Sequence, residues 1–267
     1  MAQSAAHSDA HVHHEEEDMY PDQPAVLDPR FGGSPIMRSL RRSFGRATEE
    51  DRLLYPRAVL KFQMRTQGRY ANGFPIGAVV HSTEGRCKNG NQDAENTITG
   101  TGIPNGHCYF CISSTGTVYQ SFLLDRWGSH AGATWHPQLG TNLSNKLVGI
   151  EVCCPGIVKK RGNVFKPDWN ETFTEDEVRF SEKVENVTER GHYVRFTAAQ
   201  EAALTDLLLW MHNSNPAVFK LENVVGHDEV AVQSGTHTLG RKQDPGASLS
   251  TYMPEFRSKL MAAVAVS

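Results

Sequence analysis

Short apolar runs that lead into polar residues constrain the fold of this chain more than any other feature of its sequence. Residues 76–80 and 147–152 are rich in Val and Ile and are too short for ordinary helices. Such runs are typical of buried β-strands. Residues 224–225 have the same character, and the runs 109–113 and 118–122 flank a Gly-containing turn, which predicts a hairpin.

Two helices are predicted among and after these strands. Thr197 and Gln200 have the spacing of a capping box, and the apolar residues that follow recur at helical spacing as far as Met211. Pro216 ends this helix, and a last helix is predicted from about residue 254 to 263. Strands interleaved with helices favour an α/β fold layered around one sheet.

The composition excludes several classes of protein. The 267 residues include 27 Lys and Arg and 30 Asp and Glu, a net charge of −3, which argues against a generally basic nucleic-acid binder. No apolar run approaches the roughly 18 residues of a membrane span. Five cysteines are an odd number, which argues against a disulfide framework. The N-terminus lacks the basic and apolar regions of a secretory signal, so we expect synthesis in the cytoplasm without an ordinary signal peptide.

The charge is unevenly distributed along the first 65 residues. Residues 1–34 hold seven acids, four histidines and one base, and we interpret them as a mobile tail, with weak metal binding by the histidines as the alternative. Residues 35–58 form a basic extension, and the eight bases of 35–65 could contact an anionic surface. A domain is predicted over 59–265, with an inserted segment near 156–196 that could carry a short helix.

Three residues have the chemistry of metal ligands. His81 and His227 each follow an apolar strand beside glycine, and Asp244 precedes a Pro-Gly turn. A catalytic zinc site uses three protein ligands of these types and keeps one position for water. The spacing alone is a weak signal, because a histidine at the end of a strand is usually structural or merely exposed.

Glu151 and Lys242 are candidates for catalysis. Glu151 interrupts an apolar strand, and a buried carboxylate needs a partner or a function, such as that of a general base beside a metal-bound water. The alternative is the exposed face of an edge strand. Lys242 lies two residues before Asp244, so both project to the same side of an extended loop. It could stabilise an oxyanion, and a surface lysine is the default alternative.

The cysteines give no comparable signal. Cys108 and Cys111 have CxxC spacing, but in a strand their thiols point to opposite faces, as do those of Cys153 and Cys154. We therefore assign all four to packing. A cysteine nucleophile with a histidine base stays open as an alternative.

Five segments, in this order, resemble the zinc-dependent N-acetylmuramoyl-L-alanine amidases of the type-2 amidase family, which also includes the peptidoglycan recognition proteins. The resemblance covers roughly residues 59–260. The segments are 78–83 (AVVHST), 109–120 (YFCISSTGTVYQ), 129–132 (SHAG), 148–151 (VGIE) with 196–204 (FTAAQEAAL), and 225–231 (VGHDEVA) with 242–246 (KQDPG).

The resemblance implies a central mixed β-sheet flanked by helices and a Zn²⁺ site in a groove. It assigns the zinc ligands to His81, His227 and Asp244. It places the family's acid on Glu151 and its lysine on Lys242.

Further positions follow from the same resemblance. His130 corresponds to a groove-lining position that is not normally a ligand. Either Tyr109 or His107 fills a position near the site, and the sequence does not decide between them. The segment between His227 and Asp244 is long and contains His237, a rival ligand.

The implied activity is hydrolysis of the amide between N-acetylmuramic acid and the L-alanine of the peptide stem. We expect cell-wall lysis by a phage endolysin, acting on the peptidoglycan of the periplasm in the host cell. The alternatives are a non-catalytic peptidoglycan-binding module, a cytosolic amidase that recycles wall fragments, an injected toxin, and a zinc peptidase that cuts elsewhere in the stem.

Overall fold

The computed structural model describes residues 52–182 and 190–265. The predicted tail 1–34 and most of the predicted extension 35–58 lie outside these residues. In the described part, the strands are β1 (Gly68–Arg69), β2 (Gly77–Ser82), β3 (Tyr109–Ile112), β4 (Val118–Tyr119), β5 (Arg126–Trp127), β6 (Trp135–His136), β7 (Gly140–Thr141), β8 (Leu147–Val152), β9 (Ile157–Arg161), β10 (Val164–Lys166), β11 (Val178–Ser181), β12 (Gly191–Val194) and β13 (Val224–Gly226). The α-helices there are α1 (Asn91–Thr97), α2 (Ala198–Ser214), α3 (His227–Val230) and α4 (Tyr252–Ala265).

A mixed five-stranded sheet forms the centre, in the order β13-β2-β8-β3-β4. The first four strands run parallel, and β4 pairs antiparallel with β3 across the predicted hairpin. All of the strands that the apolar runs predicted lie in this sheet. His81 is the fifth residue of β2 rather than the residue that follows the strand.

The two faces of the central sheet differ. One face packs against helices, and the other carries the candidate site residues. Alternate residues of β8, among them Val148 and Ile150, pack with α2 and α4 in the largest apolar cluster. The intervening positions, which include Gly149 and Glu151, face the other side because neighbouring strand residues point to opposite faces. Smaller clusters cover parts of that second face, one of them around α1. The predicted mixed sheet with flanking helices is therefore confirmed.

The segment 156–196 folds differently from the prediction. Its strands form a second, antiparallel sheet in the order β10-β9-β12-β11. The helical content of its described part is one 3₁₀ turn, Glu175–Glu177, where the backbone N–H of Thr174 donates to Glu177 Oε2 at 2.8 Å. A capping box is present at Thr174, but the neighbouring residues from Val178 onward pair as a strand and the turn does not continue as a helix.

Part of the basic segment 35–65 packs on this domain. Leu54 and Tyr55 are buried, Arg57 forms an ion pair with Asp206 and Lys61 one with Glu95. These two bases are therefore already engaged within the protein. No helix in the described ranges is long and apolar enough to span a bilayer.

The capping box of α2 gives a test of the helical layer. The backbone N–H of Thr197 donates to Gln200 Oε1 at 2.9 Å, and that of Gln200 donates to Thr197 Oγ1 at 3.1 Å. We expect Thr197→Ala to lower the free energy of unfolding by about 1 kcal/mol in urea titrations. Thr205→Ala, inside the same helix, is the control and should leave stability unchanged or slightly raised, because alanine favours helices. Equal effects of the two variants would contradict a specific role for the cap.

Candidate metal and catalytic site

The carboxyl ends of the parallel strands bring His81, His227 and Asp244 together. In open α/β sheets this edge is where ligands bind. His81 lies near the end of β2, and His227 directly follows β13. The loop with Asp244 crosses above them, held where the N–H of Ser82 donates to its Oδ2 at 3.3 Å and that of Asp228 donates to its carbonyl at 2.7 Å.

The three side chains are buried and mutually close. His81 Nδ1 and His227 Nδ1 are 3.1 Å apart. His227 Nδ1 lies 3.2 Å from Asp244 Oδ1, and His81 Nδ1 lies 3.4 Å from Asp244 Oδ2. Within the described ranges they form the one group of this kind able to hold a metal ion, with all ligand atoms within 4.8 Å of one another. These spacings match the roughly 3.4 Å edge of a tetrahedron with metal–ligand bonds of about 2.0–2.1 Å.

Hydrogen bonds on the far side of each ring assign the histidine tautomers. His227 Nε2 lies 2.9 Å from the carbonyl of Ala131, which can only accept, so Nε2 carries the hydrogen and Nδ1 the lone pair of the neutral ring. His130 Nε2 likewise donates to the carbonyl of Leu147 at 3.0 Å. The Nδ1 of His130 is then the acceptor for His81 Nε2 at 3.2 Å, which leaves a lone pair on His81 Nδ1.

With these tautomers, the Nδ1 atoms of His81 and His227 carry lone pairs and no hydrogen on the side that faces Asp244. Two nitrogen lone pairs and a carboxylate converge, an arrangement that could hold a metal cation. Burial, together with repulsion from His227, lowers the pKa of His81 to about 4. Burial alone would raise the pKa of Asp244, but His227 and His81 lower it well below its usual value. The donor set, two imidazoles and one carboxylate, suits zinc.

Glu151 lies beside this set. It is the register partner of His81 on the neighbouring strand, and β8 has strands on both sides, which excludes the edge-strand alternative. Burial raises its pKa well above the usual value, the charge of Asp244 adds to the effect, and Lys242 opposes it. Among the described residues, its Oε2 is a buried atom without a hydrogen-bond partner. A carboxylate in this state is suited to exchange a proton.

Lys242 lies at the rim of the site. Its Nζ donates to Glu84 Oε2 at 3.4 Å, and its side chain is 25% exposed. Its charge also acts on the pKa values of His81 and Glu151, so the structure places Lys242 near both groups.

The ring of His130 packs against Gly149, where a larger residue would clash with it. A Cβ added to Gly149 would lie 2.6 Å from His130 Cγ. Both ring nitrogens of His130 are engaged, one by His81 and one by Leu147. The geometry therefore places His130 behind His81, where it orients the ring of that histidine.

Arg241 is a contributor that the sequence analysis missed. Its Nη2 donates to the carbonyls of Ala131 and Ala133 at 2.7 and 3.1 Å, and its Nε donates to that of Val232 at 3.1 Å. It thereby holds the carbonyl that orients His227. An arginine beside Lys242 carries no sequence signal that distinguishes this role from that of a surface charge.

The remaining candidates lie outside the triad. His237 is exposed and stacks on Trp135, with ring centroids 4.5 Å apart, so the structure leaves it out of the ligand set. Tyr109 is buried in the cluster beside α1, with its hydroxyl 3.4 Å from the carbonyl of Thr97. His107 is half-buried 6.4 Å from the ring of Tyr109, and its charge acts on the pKa of His130.

The cysteines pack as predicted. All five thiols are free, and the members of each pair belong to different apolar clusters, Cys108 and Cys154 to one and Cys111 and Cys153 to the other. Burial raises the pKa of Cys154 to about 12. This thiol is therefore a poor nucleophile near neutral pH.

One comparison with known proteins identifies a family. A family model described as N-acetylmuramoyl-L-alanine amidase matches residues 72–247. A search of curated protein sequences finds no significant match.

Several solved structures are similar to this chain. An AmpD derivative shares 19% identity with it at a TM-score of 0.47, over 80% of this chain and 99% of that one. The amidase AmiD from E. coli, in complex with anhydro-N-acetylmuramic acid-L-Ala-D-gamma-Glu-L-Lys, shares 18% at a TM-score of 0.46, over 76% of this chain and 62% of that one. The endolysin LysCS from Clostridium intestinale shares 17% at a TM-score of 0.41, over 78% and 98%.

The contact between Gly149 and His130 gives a test of the metal site. We expect Gly149→Ala to displace the His130 ring and to weaken zinc binding by about 10- to 100-fold, as loss of a partner behind a ligand typically does. Calorimetric titration of the metal-free protein measures this. Gly100→Ala is the control, because a Cβ there meets nothing within 4 Å. Unchanged affinity in Gly149→Ala would contradict the orienting role of His130.

Proposed function

Because the chain belongs to the N-acetylmuramoyl-L-alanine amidase family and is an enzyme of that activity, we propose that it acts as a zinc hydrolase. The bond cleaved is the amide between N-acetylmuramic acid and the L-alanine of the peptide stem. We assign this activity to the domain 59–265. The ligands are His81, His227 and Asp244, and the catalytic residues are Glu151 and Lys242.

One observation carries the proposal. Two imidazole lone pairs and a carboxylate converge within 4.8 Å, next to a glutamate with a buried, unpartnered oxygen among the described residues. A binding module needs to hold its ligand but does not need a proton acceptor. The juxtaposition therefore favours hydrolysis over the non-catalytic alternative.

Each residue has a defined task in the reaction. Zinc, when bound, would supply a Lewis acid that acidifies water and polarises the scissile carbonyl. Glu151 accepts a proton from the attacking water and returns it to the nitrogen of the departing L-alanine, so that the C–N bond breaks to an amine and a carboxylic acid. The ammonium of Lys242 stabilises the negative charge that develops on the carbonyl oxygen, a contribution typically worth about 10²–10³ in rate.

For the biological role we propose cell-wall lysis of the endolysin type. The substrate class is peptidoglycan, as intact sacculus or as muropeptide. AmiD was solved with a muramyl tripeptide, and LysCS is an endolysin. A cytosolic recycling amidase is the alternative with the same chemistry, and a preference for soluble fragments over sacculi would favour it.

Digestion of purified sacculi tests the activity. We expect release of stem peptides with a free N-terminal alanine, detected by mass spectrometry, with loss of release on chelation and recovery on addition of zinc. His227→Ala should abolish release. The exposed His237→Ala is the matched control and should retain it. Cosedimentation with sacculi without any release would contradict hydrolysis and support the binding module.

Glu151→Gln separates catalysis from stability. We expect a loss of at least about 10²-fold in kcat, because glutamine cannot accept the proton. The metal-free variant should be more stable than the wild type by about 1 kcal/mol at neutral pH, since the substitution removes a negative charge that burial and Asp244 disfavour more than Lys242 favours it. The pKa of Glu151 is raised in the folded protein. The gain should therefore vanish as pH falls below about 4.5, where the carboxyl is protonated in both states.

Thermal unfolding at pH 4 and pH 7.5, beside zinc-dependent kinetics, measures both effects. Full activity in Glu151→Gln would remove this residue from the mechanism. A stability difference that is independent of pH would contradict the electrostatic origin.

A further inference from the structure

A groove of about 650 Å³ runs from Asp244, one member of the triad, to the antiparallel sheet. Ser82 and Asp244 line it, and so do Lys159, Lys166 and Tyr193 from β9, β10 and β12. A groove of this volume is large enough for a ligand of the size of a short peptide or a drug molecule. Because one groove contains Asp244 and residues of the sheet, a ligand that fills it contacts the sheet and lies against the carboxylate side of the triad.

The antiparallel sheet places two lysines side by side, which does not stabilise the sheet itself. Lys159 and Lys166 are directly opposite each other on β9 and β10. Like charges at such positions destabilise a sheet. Lys159 is paired with Asp168 at 3.0 Å, but within the described part of the chain Lys166 forms no ion pair.

Other bases of the groove are already matched. Lys160 lies 3.7 Å from Glu175, and Arg190 lies 2.9 Å from Glu182. The excess charge is therefore centred on Lys166, beside the indole of Trp169, another lining residue. The acids Glu84 and Asp168 also line the groove, and they pair with Lys242 and Lys159. The wall formed by Lys159, Lys166 and Trp169 therefore suits a ligand that is anionic and partly apolar.

The wall is also fixed relative to the triad. The hydroxyl of Tyr193 lies 3.4 Å from Oε1 of Gln243, the residue before Asp244. Tyr193 itself is buried, so its ring sets the position of β12 against this loop. A group bound on the wall is thus held at a set distance from the reacting bond.

We propose that Lys159 and Lys166 bind a free carboxylate of the peptide stem and so make the enzyme selective for stems that carry one. This inference rests on the proposed function. In a stem with a γ-linked glutamate, the α-carboxylate of that residue takes no part in the chain, lies close to the scissile amide, and loses its charge on amidation. Amidated stems should then be the poorer substrates.

Paired substrates and variants test the proposal. The substrates are N-acetylmuramyl-L-Ala-D-γ-Glu-L-Lys and its α-amide. The variants are Lys166→Gln and the double variant Lys159→Gln with Lys166→Gln. Lys259→Gln is the matched control, because Lys259 is an exposed lysine on α4 whose partner is Glu255 in the same helix.

We expect the wild type to favour the free acid through KM. Removal of each lysine should raise KM for the acid by about two- to fivefold, the range of exposed ion pairs, and the effect should shrink at high salt. The KM for the amide and the kcat for both substrates should stay unchanged, as should both parameters of the control. A wild type that cleaves acid and amide equally, or a double variant that keeps the preference, would overturn the inference and leave the amidase activity standing.

Direct binding separates the two proposals if neither substrate is cleaved. Calorimetry with the tripeptide L-Ala-D-γ-Glu-L-Lys and its α-amide measures selectivity without hydrolysis. Tighter binding of the acid that is lost in the double variant would support the wall while the proposed function fails. Equal binding of both peptides would overturn the wall as well.

Discussion

The register between the parallel strands β2 and β8 is the constraint on which the site depends. It places His81 opposite Glu151, and Val80 opposite Ile150. Side chains alternate between faces, so a slip of one residue would turn one strand's chemical groups into the helical core. Both strands are buried between neighbours, which makes such a slip costly. The hydrophobic pattern that builds the core therefore also aligns His81, the proposed ligand, with the proposed base.

Burial of polar groups explains the arrangement behind the ligands. A buried imidazole needs partners for both nitrogens. For His81 one partner is His130, whose other nitrogen is satisfied by a strand carbonyl, and for His227 it is the carbonyl of Ala131. Each outer nitrogen is satisfied by the protein, so each inner nitrogen is directed at one point. The hydrogen bonds that offset the cost of burying two histidines also orient them as the ligands that we propose.

Much of the central sheet could be predicted from the sequence, and so could the three residues that meet at its carboxyl edge, because both leave local signals. Apolar runs predict the strands, and His81, His227 and Asp244 stand where a strand ends or a turn begins. The antiparallel sheet left no such signal. Its strands are three to five residues long, and β9 ends in Lys-Lys-Arg, so neither length nor alternation distinguishes them from a polar loop.

The role of Gly149 was also invisible, since it depends on a ring nineteen positions away that the fold brings against it. Arg241 illustrates the same limit, because its partners are backbone carbonyls that the sequence does not encode locally.

The segment 243–250 joins the chemistry to the second sheet. Asp244 contributes the carboxylate of the triad, and Gln243 contacts Tyr193 of β12. A few residues on, the guanidinium of Arg179 from β11 donates to the carbonyls of Ala247 and Leu249. One short stretch of backbone therefore fixes both the ligand and the wall. A shift of the antiparallel sheet would be transmitted to Asp244. An ion bound by the proposed ligands would in turn fix the wall that we propose for the peptide stem.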